Sequence, residues 1–404
     1  MRVVIIANFP SLLDGKVSGR FVNIAQMLYE RGHQVEVVVS DYDHLTKRRR
    51  VILDNKYAFG LTYLHEPGYH NNISLRRLWS HYVWGRNVGR YLKGMKEKPD
   101  VVYAAIPTYT AARYAGEYCE KVGAKFIIDV QDLWPEAFSV LVKSPIARLA
   151  FMPMEWYVNK AYSMADFIVG VSDTYRDRGM RVNGKCKKGL TVYLGNNAGV
   201  FDQARERYRV EKPDCEFWLA YIGTMGYSYD LKCAIDAVRK VNENGLAQKR
   251  VKFIAIGAGP LLGSFRQYAE RAGINYDFSG ALPYSEMVGK LCSCDAVINC
   301  INSGAAQSIT NKVGDYALSG LPVINTQENE EYRQLIVEYH CGINCNCGDS
   351  DQVASAIESL MDNPEESSNM GKQARLLGLQ RFDRRTSYLK IVDAVETLGQ
   401  KTSC

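Results

Sequence analysis

The sequence predicts an α/β protein of two doubly wound, Rossmann-like domains facing each other across a cleft. Three observations lead there. The chain has 404 residues, more than one hydrophobic core usually organises. Short apolar runs alternate with amphipathic stretches from end to end, the signature of parallel sheets covered on both faces. After a polar segment near the middle the alternation starts again.

The elements follow in order. Residues 3–8 form an apolar strand. Residues 21–30 form an amphipathic helix that stops at Arg31-Gly32-His33. Strands follow at 34–39, 101–105, 125–130 and 167–171. Residues 202–213 are polar and charged and are read as the linker region. The second half supplies strands at 217–223, 251–257, 276–280, 296–300 and 322–325. Residues 381–396 read as a closing amphipathic helix. The expected divisions are 1–200, 201–380 and a terminal segment 381–404.

Composition narrows the class. Hydrophobic residues make up 47% and charged residues 23%, values of a soluble globular protein. A net charge of +6 is too small to argue for nucleic acid but suits an anionic substrate or membrane surface. The eleven cysteines are odd in number, and several lie inside apolar runs, so free thiols in a reducing cytosol are expected. Cys292 and Cys294, and Cys341, Cys345 and Cys347, lack the paired-ligand spacing of zinc sites, and no metal is expected. The opening ten residues are too short for a targeting segment and read as a strand. No apolar run reaches the roughly 18 residues that span a bilayer.

The chemistry concentrates late in the chain. Residues 308–325 read as a loop, a helix of about two and a half turns, a glycine stop and a buried strand. Thr310 or Asn311 is expected to cap the helix. Gly320 and Pro322 end it. Lys312 falls in the first turn, where free amides and the helix dipole attract an anion. Asp315 lies one turn on, on the side of Lys312 and Asn311. A cation and amides for phosphates, followed by a carboxylate for hydroxyls, suit a sugar nucleotide. The alternative is a surface helix with ordinary Lys–Asp spacing. Gly223-Thr224-Met225-Gly226, Gly257-Ala258-Gly259-Pro260 and Ser279-Gly280 each follow a strand of the same half. Glycine there lets backbone approach a phosphate or base.

In the first half a strand delivers Asp129, Gln131, Asp132, Trp134 and Glu136 in close succession. One carboxylate could orient or deprotonate an acceptor hydroxyl. At least one of Asp129 and Glu136 is expected to be structural instead. Asp14-Gly15-Lys16-Val17-Ser18-Gly19-Arg20 could form an anion loop, but it lacks the dinucleotide fingerprint, which argues against a nicotinamide enzyme. Asp41-Tyr42-Asp43 spells a metal-binding tripeptide that arises readily by chance and is discounted. Residues 75–93 mix Trp79, Tyr82 and Trp84 with Arg76, Arg77, Arg86 and Arg90 at helical spacing. They suit an anionic bilayer surface, or a helix packed on its own sheet.

Together these residues resemble the retaining glycosyltransferases of family 4, which have the two-domain GT-B fold. The segments that carry the resemblance are Gly19-Arg20, Arg31 to Val35, Asp129 to Glu136, Tyr193 to Asn197 and Lys312 to Pro322. Asp129 to Glu136 is similar to the branch that builds bacterial capsule and O-antigen polysaccharide. The resemblance implies a nucleotide-sugar donor in the second domain, an acceptor in the first and a last helix that crosses back to the first. Many members carry two glutamates eight positions apart, where this chain has Gln307 and Asp315. Many carry an arginine and a lysine after the first donor-domain strand, where this chain has Thr224 and, near the lysine position, Tyr229. Many place histidine where Gln131 stands, so the neighbouring Asp132 becomes the acceptor-side candidate.

The resulting expectation is a cytosolic, membrane-peripheral, metal-independent transferase. It would move a sugar from a UDP-sugar to a saccharide on a polyprenyl carrier, with retention. Asp132, Lys312 and Gln307 are its catalytic candidates. Donor contacts are expected from Gly223, Thr224, Gly257, Gly259, Ser279, Gly280, Asn311, Lys312 and Asp315. The acceptor-side candidates are Gly19, Arg20, Asp129, Gln131, Trp134 and Glu136. Two alternatives are a nucleotide-sugar epimerase, which would turn over donor without acceptor, and a non-catalytic binder, which would bind without turnover.

Overall fold

The computed structural model describes residues 1–8, 19–50, 57–136, 145–245, 249–304 and 309–400, with 145–150 as backbone only. The chain divides into two compact units, Met1–Val192 with Tyr388–Cys404, and Tyr193–Ser387.

The first unit runs β1 (Arg2–Ala7), α1 (Arg20–Glu30), β2 (Gln34–Ser40), β3 (Tyr42–Asp43), β4 (Arg48–Arg49), β5 (Gly60–Leu64), α2 (Leu75–Lys93), β6 (Val101–Ile106), α3 (Tyr109–Val122), β7 (Lys125–Val130), α4 (Pro145–Met164), β8 (Phe167–Gly170), α5 (Asp173–Met180) and β9 (Leu190–Thr191). Seven strands form one sheet in the order β5-β2-β1-β6-β7-β8-β9, every pair parallel. β3 and β4 stand apart as an antiparallel ribbon. Val3, Ile5, Val37 and Val101 are fully buried, which is why these strands read as unbroken apolar runs.

The second unit runs α6 (Ala198–Arg207), β10 (Glu216–Ile222), α7 (Leu231–Asn244), β11 (Arg250–Ile256), α8 (Leu262–Arg271), β12 (Asn275–Gly280), α9 (Tyr284–Leu291), β13 (Ala296–Asn299), α10 (Asn311–Ser319), β14 (Val323–Asn325), α11 (Glu330–Tyr339), β15 (Gly342–Asn344), α12 (Ser350–Asp362), α13 (Pro364–Leu377) and α14 (Arg384–Ser387). Its parallel sheet has the order β12-β11-β10-β13-β14-β15. The last helix, α15 (Leu389–Gly399), belongs to the first unit, where Ile391, Val392 and Val395 join the core of Val3 and Ile5. Both sheets reverse direction once, between β1 and β6 and between β10 and β13. Doubly wound sheets bind ligands beyond the carboxyl ends of the strands at such a point.

Three sequence readings change. The polar stretch 202–213 is not simply linker: its first half is α6, capped by Asn197, whose Oδ1 accepts from Val200 N at 3.2 Å. Phe201 and Ala204 form a narrow apolar face hidden among charges and pack on Val288 and Leu318. The units meet at 192/193 and 387/388 rather than at 200/201 and 380/381. The stretch 381–396 is not one helix. A π-helical turn ends at Phe382, and Asp383 is extended, at φ −75° and ψ 116°. Its carboxylate accepts from the amides of Ala198 and Arg385 at 3.3 and 3.1 Å. The ten described cysteines carry free thiols.

Candidate functional site

The reversal between β10 and β13 brings together Gly223, just beyond β10, and the start of α10, which follows β13. Tyr316 fixes the helix there. Its hydroxyl donates to Ile298 O at 3.0 Å and accepts from Ile222 N at 3.1 Å, tying α10 to the ends of both strands. Lys312 is thereby held one turn back along the same helix, 7% exposed. Its ammonium has no hydrogen-bond partner among the described residues. It faces two aromatic rings instead, with Nζ 4.3 Å from the centroid of Tyr221 and 3.9 Å from that of Tyr229. Burial pushes the Lys312 pKa down to about 7.

The helix start is equally unfinished. Thr310 occupies the cap position, but its side chain makes no capping bond, and its buried hydroxyl has no partner among the described residues. The expected cap by Thr310 or Asn311 is therefore absent; Asn311 is exposed. A buried cation and a buried hydroxyl without partners, at the positive end of a helix dipole, form a site shaped for an anion. Gly223, at φ +122°, leaves the space beside this lysine open: a Cβ there would stand 3.7 Å from Lys312 Cδ.

The other glycines have a different purpose from the one expected. The amides of Gly223 and Gly257 already donate to Ile256 O and Gly280 O, at 2.9 and 2.8 Å. A Cβ on Gly257 would stand 1.8 Å from Gly223 O, and one on Gly259 would stand 2.3 Å from Met225 O. These glycines let two loops pack backbone to backbone. Thr224 is exposed, and its carbonyl accepts from Tyr221 OH at 2.6 Å, which orients the ring beneath the lysine. Ser279 belongs to a small network. Its hydroxyl donates to Asp277 at 3.0 Å and accepts from Lys290 at 2.7 Å. Gly280 carries the turn at φ +72°.

Asp315 is 8% exposed. Its Oδ1 accepts from Asn196 Nδ2 at 2.7 Å and Tyr284 OH at 2.8 Å, while Oδ2 accepts no hydrogen bond from the described residues. Burial pushes its pKa up to about 7, against the Tyr284 hydrogen bond and the nearby Arg384. Gln307 lies outside the described residues, as do residues 9–18 of the glycine-bearing loop.

The first unit corrects several acceptor-side expectations. Arg20 and Asp129 are committed to each other, Nε to Oδ2 at 2.7 Å and Nη2 to Oδ1 at 3.3 Å, both essentially buried. Tyr103 donates to Asp129 at 2.6 Å, and Arg20 donates to Val192 O at 2.8 Å. A buried carboxylate must be paired, so this set holds β7 to α1 rather than meeting an acceptor. Gln131 reaches the same carboxylate at 3.5 Å. Gly19 is the cap of α1, its carbonyl accepting from Asn23 N at 3.1 Å. Glu136 pairs with Arg178.

Asp132 is different. Its oxygens accept from Leu133 N and Trp134 Nε1, each at 3.0 Å, and burial raises its pKa. This clamp presents Trp134 flat against His81, with centroids 5.6 Å apart, and under the Arg77 guanidinium at 4.5 Å. His81, Arg77, Tyr221, Tyr229, Asn196 and Tyr284 were not assigned to the site from sequence. Arg77 stood in the basic-aromatic stretch, Asn196 in the Tyr193 to Asn197 segment of the resemblance, and Tyr229 near a position where many family members carry lysine. On α2 the aromatic set divides: Trp84 is fully buried, while Trp79 and Tyr82 are exposed. Asp41 and Asp43 are engaged by Arg49 and Arg50, at 2.6 and 3.0 Å.

This geometry, on this fold, defines a class. Residues 202–377 match the family model described as glycosyl transferases group 1, and residues 18–192 match glycosyltransferase family 4. The two matches together take in most of both units, and the chain belongs to this glycosyltransferase family. Similar solved structures include Anabaena Alr3699/HepE in complex with UDP. It is 16% identical over 98% of this chain and 100% of its own, with a TM-score of 0.67. WaaG, a glycosyltransferase involved in lipopolysaccharide biosynthesis, is 15% identical over 97% and 99%, with a TM-score of 0.66. A putative UDP-N-acetylglucosamine 2-epimerase from Listeria monocytogenes is 13% identical over 100% and 97%, with a TM-score of 0.62. At such identities the shared property is the GT-B fold. Among curated proteins nothing matches the chain.

Proposed function

We propose that this protein transfers a sugar from a UDP-sugar to a saccharide on a polyprenyl carrier, with retention of configuration. The product is bacterial surface polysaccharide of the capsule, O-antigen or lipopolysaccharide kind. The observation that carries the donor half is the Lys312 ammonium, buried in the first turn of a helix whose cap makes no side-chain bond, and without a hydrogen-bond partner among the described residues. A buried lysine in this condition is costly in the empty protein. A diphosphate supplies the missing counter-charge, and UDP bound to the similar fold of HepE supports the choice of nucleotide.

In this reading Lys312, Thr310 and the first amides of α10 hold the diphosphate as leaving-group charge develops. Thr224 and Asn311, both exposed beside it, complete the phosphate contacts. The free Oδ2 of Asp315 takes the ribose hydroxyls, and the turns at Gly257–Gly259 and Ser279–Gly280 flank the base. Gln307 contacts the sugar. Asp132, which keeps lone-pair capacity beside its two local donors, orients the acceptor hydroxyl, and Trp134 and Gln131 line that side. The lysine and helix start take the place of a divalent cation, so transfer persists in excess EDTA.

The enzyme acts at the inner face of the cell membrane. Among the described residues no helix is long and apolar enough to cross a bilayer. It therefore reaches a lipid-borne acceptor by surface contact through exposed Trp79, Tyr82, Arg86 and Arg90 of α2. The first experiment is a thermal-shift screen of UDP, GDP and their sugars. A specific ligand at 100 times its Kd stabilises by about 2.7 kcal/mol. A shift with UDP that disappears in Lys312→Ala supports the reading. No shift with any nucleotide overturns it, and donor turnover without acceptor redirects it to an epimerase.

A further inference from the structure

A second concentration of charge lies in the first unit. In the β3–β4 ribbon Tyr42 stands opposite Arg49, and Asp43 opposite Arg48. Asp43 closes the turn by accepting from the amides of Leu45 and Thr46 at 2.9 and 2.7 Å. Lys47 follows in left-handed backbone, at φ +58°, with its ammonium 4.8 Å from the ring centroid of Tyr69. Arg48 and Arg49 are exposed. Opposite them Arg76, near the start of α2, is held by Nε to Gly68 O at 3.2 Å.

Ribbon, loop and helix start enclose a cavity of about 380 Å³. Its lining includes Lys47, Arg48, Arg49 and Arg76, and no carboxylate among the described residues. The neighbouring acids are already engaged. Asp41 accepts from Arg49 at 2.6 Å and Glu66 N at 2.8 Å. Asp43 pairs with Arg50 at 3.0 Å. Glu66 accepts from Asn8 at 2.8 Å, Ser40 at 2.6 Å and Ser80 at 2.8 Å. Burial, with Lys47 and Arg77 beside it, pushes the His44 pKa down to about 4. On the same two elements Leu45 of the ribbon turn is 85% exposed and Leu75 of α2 is 83% exposed.

We infer that this cavity binds a lipid-borne diphosphate, the group that joins a polyprenyl chain to its saccharide. Asp41 already offsets Arg49, which leaves Lys47, Arg48 and Arg76 around one recess; three cations exceed what a singly charged headgroup needs, and they match the several charges and acceptor oxygens of a diphosphate. Arginines supply forked donors suited to phosphate oxygens. Exposed Leu45, Ile73 and Leu75 offer the attached hydrocarbon, or the bilayer around it, an apolar landing. The inference rests on the lipid-linked acceptor proposed above.

The test uses full-length protein, farnesyl diphosphate as probe and saturating UDP to block the donor site. Affinity is measured by calorimetry for the parent and for Arg48→Gln/Arg76→Gln, two exposed positions, after thermal unfolding has shown the variant folded. The double variant should bind at least about tenfold more weakly, the loss expected when charge-assisted bonds disappear. Its affinity for UDP should be unchanged. Equal farnesyl diphosphate affinity in parent and variant overturns the inference, as does equal affinity of the parent for farnesol. Loss of binding to phosphatidylglycerol vesicles with unchanged farnesyl diphosphate affinity also overturns it, in favour of a headgroup surface. The binding assay needs no turnover. Arginine-dependent probe binding in a protein that transfers no sugar therefore upholds the cavity and sinks the transferase, and the reverse result does the opposite.

Discussion

Asp129 in the first unit and Lys312 in the second are both buried charges at the strand ends of parallel sheets, with opposite surroundings. Asp129 has a bidentate arginine and a tyrosine hydroxyl within hydrogen-bond reach. Lys312 has two aromatic faces and no hydrogen-bond partner among the described residues. The first arrangement is complete, and the fold depends on it. The second lacks its anion, so the fold holds the charge in a strained state that a ligand relieves. Where a buried charge is satisfied internally the residue is structural, and where it is left unsatisfied the residue awaits a partner.

The largest expected effect breaks the satisfied side. Asp129→Ala leaves Arg20 buried and uncompensated and should cost about 3–5 kcal/mol in urea unfolding. A double replacement of Arg20 and Asp129 by apolar residues should recover much of that loss. If Asp129→Ala unfolds like the parent while sugar transfer collapses, Asp129 belongs to the acceptor site after all.

Lys312→Ala should do the reverse. Initial rates of transfer should fall by about 10²–10³, or about 2.7–4 kcal/mol, because leaving-group charge loses its positioned cation. The empty protein should be no less stable, since a partnerless buried charge has been removed. Unchanged rates in a folded variant would remove Lys312 from the site.

Asp315→Asn sharpens the contrast within α10. The hydrogen bonds of Asn196 and Tyr284 to Oδ1 can persist, but charge-assisted bonds to hydroxyls cannot. UDP affinity by calorimetry should fall by about 1.5–3 kcal/mol. An unchanged Kd would make the carboxylate an anchor for Asn196 and nothing more.

The same two residues set opposite responses to pH. Asp315 titrates near 7 in the fold against 3.8 as its ordinary value, so the native state holds a proton that the unfolded chain has released. Stability should therefore fall as pH rises from about 4 to 7. Lys312 titrates near 7 against 10.5, so here the unfolded chain holds the extra proton. Stability should rise from about pH 7 to 10.5. Each limb has a slope of up to about 1.4 kcal/mol per pH unit. Urea unfolding of the empty protein should show the low point near pH 7. The lower limb should be missing from Asp315→Asn and the upper limb from Lys312→Met. Limbs that survive both substitutions would assign the pH dependence to other groups.

Much of this molecule is readable before it folds. Strands buried on both faces are apolar along most of their length, so β1, β10 and β11 stand out in the sequence. A left-handed glycine followed two residues later by proline ends a helix, so the C-terminal limit of α10 is visible at Gly320 and Pro322. Counting back from that limit puts Lys312 in the first turn. What could not be read depends on partners distant in the chain. Arg20 and Asp129 lie 109 residues apart, and only the pairing of β6 with β7 and the placement of α1 make them an ion pair. Tyr221 and Tyr229 become the walls of a lysine cage only once the β10 turn folds against α10. α6 was hidden because its buried face is small, Ala198, Phe201 and Ala204, and sits among charged neighbours. Periodicity records which side of an element is buried, a property each segment carries locally. Which charge meets which partner is set by the crossing of segments far apart in sequence, and that information exists only in the folded chain.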